Sequence, residues 1–95
     1  MKVVADLCIV PMGVGPSVSS YVKDIKKIID ASHLNAEMHA NGTNIEGELS
    51  DICQLIELCE AKLHELGVQR VFFTIAFSSR RDKEQKMADK LAAVS

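Results

Sequence analysis

The sequence predicts an α+β sandwich: one four-stranded antiparallel sheet with two helices on one face, in the order βαββαβ, followed by a short final helix. Three observations carry this. Four segments alternate in hydropathy with period two, two segments between them repeat with period 3.6, and each crossover is one helix long. An Asn-Gly pair between the second and third alternating segments adds a hairpin signal.

Val3, Ala5, Leu7 and Ile9 alternate with Val4, Asp6, Cys8 and Val10, and the run stops at Pro11, Gly13 and Gly15, so residues 2–10 are expected as a strand with two largely apolar faces. From Ser17 the period changes. Val18, Tyr21, Val22, Ile25, Ile28 and Ile29 make one helical stripe after Pro16 and a serine cap, over about 17–31. Leu34, Ala36, Met38 and Ala40 alternate with Asn35, Glu37 and His39. Asn41-Gly42 then suits the two φ > 0 positions of a type I′ turn, and alternation resumes over 43–49. Ser50 is expected to cap a second helix over 51–66, whose stripe is Ile52, Leu55, Ile56, Cys59, Leu63 and Leu66, with Gly67 at its left-handed end. Residues 68–77 form the last strand, with Val71, Phe73, Ile75 and Phe77 on one side and Phe72, Thr74 and Ala76 on the other. After the turn at 78–83, a short helix carries Met87, Leu91 and Val94. This order of elements is the ferredoxin-like one.

Two helices cover one face of such a sheet. The other would present Val4, Cys8 and Val10, or their opposite partners, with Phe72 and Ala76. At roughly 25 cal/mol per Å² of apolar surface, exposing several such side chains forgoes a large part of a small domain's net stability. The last helix or a second subunit's sheet is expected to cover it. A chain of 95 residues, 47% apolar, is expected to form a single domain over 1–95 and sits near the size where oligomerisation supplies part of the stability.

The formal charge of -2 gives no footprint for a phosphate backbone or an anionic membrane, so neither nucleic acid nor membrane is an expected partner. The first strand is too short and too alternating for a secretory signal, and no stretch approaches membrane-spanning length, which predicts a cytoplasmic protein. Cys8, Cys53 and Cys59 form no CxxC pair, and their odd number cannot be fully paired within one chain; they are expected to be reduced, with Cys53 and Cys59 in core packing.

No catalytic group, metal site or cofactor is legible. His33, His39 and His64 fall at a junction or on polar faces, and are expected to be solvated. Glu46 and Glu48 share one strand face, which suits either a solvated face or a pair of positioned carboxylates. Asp6, alone in an apolar strand, reads either as an interface charge paired with Arg70, Arg80 or Arg81, or as an acceptor for a ligand's amino group. An RNA-recognition module would need aromatics on the first and third strands, which have none. A soft-metal chaperone would need CxxC, and an acylphosphatase-like enzyme an arginine, in the loop that here reads Pro11-Met12-Gly13-Val14-Gly15-Pro16.

The segments Ile9-Val10-Pro11-Met12-Gly13, Ser17-Val18-Ser19-Ser20-Tyr21-Val22, Gly42-Thr43-Asn44-Ile45-Glu46-Gly47 and Arg80-Arg81-Asp82-Lys83 resemble, in order and spacing, the small thiamine-binding protein family, long known as an uncharacterised family. The resemblance runs nearly end to end. It implies a ferredoxin-like domain that assembles into homodimers or homotetramers and binds thiamine or its hydroxymethylpyrimidine part. Carried over by motif, the site residues it implies are Ser17 and Ser19 at the start of the first helix and Thr43 and Glu46 on the hairpin. Asp6 or Glu46 would accept from the pyrimidine's amine, and Ile45 or Phe72 would wall its flat ring. The chain departs from the family in having Ser78-Ser79 where acidic residues often precede the arginine pair. The function expected is therefore non-catalytic binding, as carrier, buffer or sensor. The alternatives are an oligomeric scaffold with a vestigial or unknown-metabolite pocket, and an enzyme using Glu46 as base.

Overall fold

The computed structural model describes residues 1–16, 18–84 and 86–95. The elements run β1 (Lys2–Met12), α1 (Ser19–Ala31), β2 (Asn35–His39), β3 (Gly42–Glu48), α2 (Leu49–Glu65), β4 (Arg70–Ser78) and α3 (Met87–Ala92). The strands form one antiparallel sheet in the order β2-β3-β1-β4, the expected ferredoxin-like layout.

One face of the sheet packs on α1 and α2. Val3, Ala5 and Leu7 of β1 and Thr43 and Ile45 of β3 are buried there, against Ile25 and Ile29 of α1 and Ile52, Leu55, Cys59 and Leu63 of α2. The stripes that predicted the helices are the faces they bury, except that Leu66 lies just past the end of α2 and is exposed. The register places Val4, Asp6, Cys8, Val10 and Met12 on the other face. With them lie Asn35, Glu37 and His39 of β2, Asn44 and Glu46 of β3, and Phe72, Thr74, Ala76 and Ser78 of β4.

Several local expectations are corrected. β1 continues through Pro11 to Met12, because beyond Leu7 it has lost β3 as a neighbour and a residue without an N–H leaves no gap between two ladders. The expected serine cap on Ser17 lies outside the described residues; Val18 holds the N-cap of α1, without a side-chain bond. Ser50 does not cap α2. That helix starts earlier, at Leu49, whose N–H donates to the Met1 carbonyl, and Ser50 lies in its first turn. Gly67 does take the left-handed conformation, at φ 94. Cys59 is in the core as expected, but Cys53 is exposed, since six residues along a helix lead to another side of its axis.

The hairpin forms, but not through a type I′ turn: His39 pairs with Gly42 across Ala40 and Asn41, and neither Asn41 nor Gly42 has positive φ. Gly42 is required for space. A Cβ there would lie 2.8 Å from the Leu7 carbonyl oxygen and 3.3 Å from both Asp6 Oδ1 and His39 Cε1.

Candidate functional site

The face not covered by α1 and α2 divides in two. Its β1–β4 half is apolar, with Val10, Met12 and Phe72 well exposed, Phe72 at 59%. Its β2–β3 half carries Glu37 and Glu46 with the amides of Asn35 and Asn44, and Asp6 of β1, opposite Asn44, borders them.

Asp6 does not meet Arg70, Arg80 or Arg81. Its Oδ1 lies 2.8 Å from His39 Nε2, reached over the bare Cα of Gly42. The Asn41 N–H donates to His39 Nδ1 at 3.2 Å, which leaves Nε2 to carry the proton and donate to Asp6. His39 is thus fixed in one tautomer, and among the described residues no hydrogen-bond partner meets the second oxygen of Asp6. Arg80 instead pairs with Asp82; that contact holds the Asp82 carboxyl below its ordinary value and the guanidinium above its own.

Glu46 is held from two sides. Asn35 Nδ2 donates to Oε1, and the N–H of Met87, the first residue of α3, donates to Oε2 at 2.6 Å. Its neighbour Glu48 points to the Met1 amine at 2.8 Å, which lowers the Glu48 carboxyl from its ordinary value. Lys90 Nζ reaches Ser78 Oγ at 3.4 Å, so α3 lies over the Val4–Ser78 end of this face. Of the three apolar residues this last segment carries, Met87 is buried, whereas Leu91 and Val94 are exposed. Between α3 and the sheet is a shallow hollow of about 350 Å³ floored by Val4 and Ala76 and edged by Asp6, Asn44, Ser78 and Lys90.

The residues singled out in the sequence are not all brought together. Asp6 and Glu46 share the open face. Thr43 and Ile45, of opposite parity to Glu46, point to the helix side, where Ile45 is wholly buried and cannot wall a ligand on the open face. Thr43 borders a second hollow, of about 300 Å³, between the hairpin turn, Cys8 and Ile9 of β1, and Val22 of α1. Ser19 is exposed at the start of α1 and borders neither hollow; Ser17 lies outside the described residues. Sequence reasoning missed His39, Asn35 and Asn44. Their signal was parity: once the hairpin pairing is set, they fall on the face of Glu46. Among the described residues, no three His, Cys, Asp or Glu side chains gather as a metal site, and no helix is long and apolar enough to cross a membrane.

Fold and face together define a small ferredoxin-like domain with an acidic and apolar sheet surface left free by its two main helices. The family model for thiamine-binding proteins matches residues 5–95, and the chain belongs to that family. It is 39% identical to a UPF0045 protein of Synechocystis sp. over 99% of this chain and 78% of the relative, and 40% identical to one from Eremothecium gossypii over 99% and 90%. Among solved structures, a Methanocaldococcus jannaschii protein at 36% identity superimposes with a TM-score of 0.88, covering 98% of this chain and 95% of its own. A Thermotoga maritima protein described as a candidate for thiamine biosynthesis or salvage shares the fold at a TM-score of 0.82 and 15% identity, over the full length of both chains.

Proposed function

We propose that this protein binds thiamine or its hydroxymethylpyrimidine part without transforming it, as a cytoplasmic homo-oligomer serving as carrier, buffer or sensor. The observation that carries the reading is the grouping of Asp6, Asn44 and Glu46 as acceptors beside the apolar floor of Val4 and Ala76. An aminopyrimidine needs acceptors for its exocyclic amine and a flat apolar surface for its ring, and thiamine's thiazolium is a cation that neighbouring carboxylates favour. Family membership and the Thermotoga maritima neighbour support the same ligand class.

A second reading, an oligomeric scaffold, is favoured by one observation. Val10, Met12 and Phe72 form an exposed apolar group on the same face, as a subunit contact would require. Calorimetric titration with thiamine and with hydroxymethylpyrimidine, with mass from light scattering on the same sample, separates the two. Saturable binding that Asp6→Asn or Glu46→Ala removes from an intact oligomer supports the binder, whereas an oligomer that binds neither compound supports the scaffold. Turnover of either compound would overturn the non-catalytic reading.

A further inference from the structure

The final helix offers the sheet face the same two features that an amino-bearing cation would. Its first backbone N–H donates to Glu46 Oε2, and its Lys90 ammonium stands over the hollow edged by Asp6 and Asn44. We propose that α3 is an internal competitor for this site, a strap that must leave the sheet before a cationic aminopyrimidine can occupy it. This rests on the thiamine reading given above and adds its regulation.

The attachment of α3 is suited to release. Six residues are too few for a helix to persist alone in water, so its structure depends on docking. Among the described residues, α3 is held by the buried side chain of Met87, by the charge-assisted bond from its N–H to Glu46 and by a long surface contact from Lys90 to Ser78 at 3.4 Å. Leu91 and Val94 are exposed in the docked position. A bound amine would take over the Glu46 lone pairs that hold Met87, and a thiazolium near the hollow would meet Lys90 with like charge. Strap and ligand therefore bind the same surface in exclusive states, and each lowers the occupancy of the other.

The test is calorimetric titration of thiamine into the full chain as wild type, Met87→Asp and Lys90→Gln, with hydrogen exchange of the Met87, Lys90 and Ala93 amides in each. Met87→Asp removes the buried anchor. Lys90→Gln, at an exposed position outside the core, removes the competing charge together with the long Lys90–Ser78 contact. The expected result is faster exchange of these amides when wild type is saturated with thiamine. Thiamine should also bind about tenfold more tightly to Met87→Asp, with a smaller gain for Lys90→Gln, as removal of a competing state requires. Binding to Met87→Asp alone would be the same result in its extreme form. Equal affinity in all three proteins, with exchange unchanged by ligand, would overturn the strap while leaving the thiamine reading intact. Slower exchange on binding would also overturn it, because α3 would then be closing over the ligand. Absence of binding in every form would remove the thiamine reading and the strap with it.

Discussion

Asp6 of β1 and His39 of β2 touch at 2.8 Å although β3 runs between their strands, and they do so because the intervening residue is Gly42. Its Cα leaves a gap in the side-chain layer through which the imidazole reaches the carboxylate.

Gly42→Ala should therefore be costly for a steric reason. The added Cβ would sit 2.8 Å from the Leu7 carbonyl oxygen, a backbone atom that cannot rotate away, and between the two partner side chains. A loss of about 1–3 kcal/mol in urea unfolding is expected, in the range of overpacking, and separation of the Asp6 and His39 side chains should show as changed His39 ring shifts by NMR.

The Asp6–His39 pair itself should add little to stability. Both side chains are substantially exposed, at 58% and 36%, so water screens their attraction. A double-mutant cycle with Asp6→Asn and His39→Ala should give a coupling below about 1 kcal/mol. Any larger effect of either substitution on ligand binding would then report on the site and not on the fold.

Cys59 gives a pH-dependent prediction. Burial pushes its thiol from an ordinary value of 9.0 up to about 11. Below the ordinary value both folded and unfolded chains hold the proton and the group is neutral to stability. As pH rises from about 9 to about 11 the unfolded chain ionises first, so stability falls across that window. Unfolding midpoints from pH 8 to 11 should decline less in Cys59→Ala than in wild type. In the folded protein, iodoacetamide at pH 8 should label the exposed Cys53 and leave Cys59 unlabelled, as mass spectrometry of the peptides would show.

Phe72→Glu addresses assembly. Phe72 is 59% exposed and flanked across the β1–β4 ladder by Val10, also well exposed. A carboxylate there should lower the mass measured by light scattering towards that of a single chain, with little change in the far-UV circular dichroism, because the side chain contributes nothing to the helix-side core.

Much of the fold is legible in the residue pattern because burial imposes it. The stripe Ile52, Leu55, Cys59 and Leu63 and the alternation of Val3, Ala5 and Leu7 are what a helix and a strand must show when one side of each leaves water. Helix ends were less legible. Ser50 has the chemistry of a cap, but Leu49 found a better partner in the Met1 carbonyl, a residue far away in sequence. The hairpin glycine stands out in the sequence, but the reason for it does not: its demand is space under a neighbouring strand and not positive φ.

The site divides along the same line. The residues themselves determined the order of elements, the two-helix core, an incompletely covered second face and the presence of Asp6 and Glu46 among few candidate acceptors. Only the tertiary structure decided that Thr43 and Ile45 face away from Glu46, that Asp6 takes His39 and not an arginine, and that α3 sits on the Glu46 carboxylate. The physical reason is range. Hydrophobic periodicity is a local consequence of burial, whereas the partner of a polar side chain is set by which distant strands the register places within about 3 Å of it.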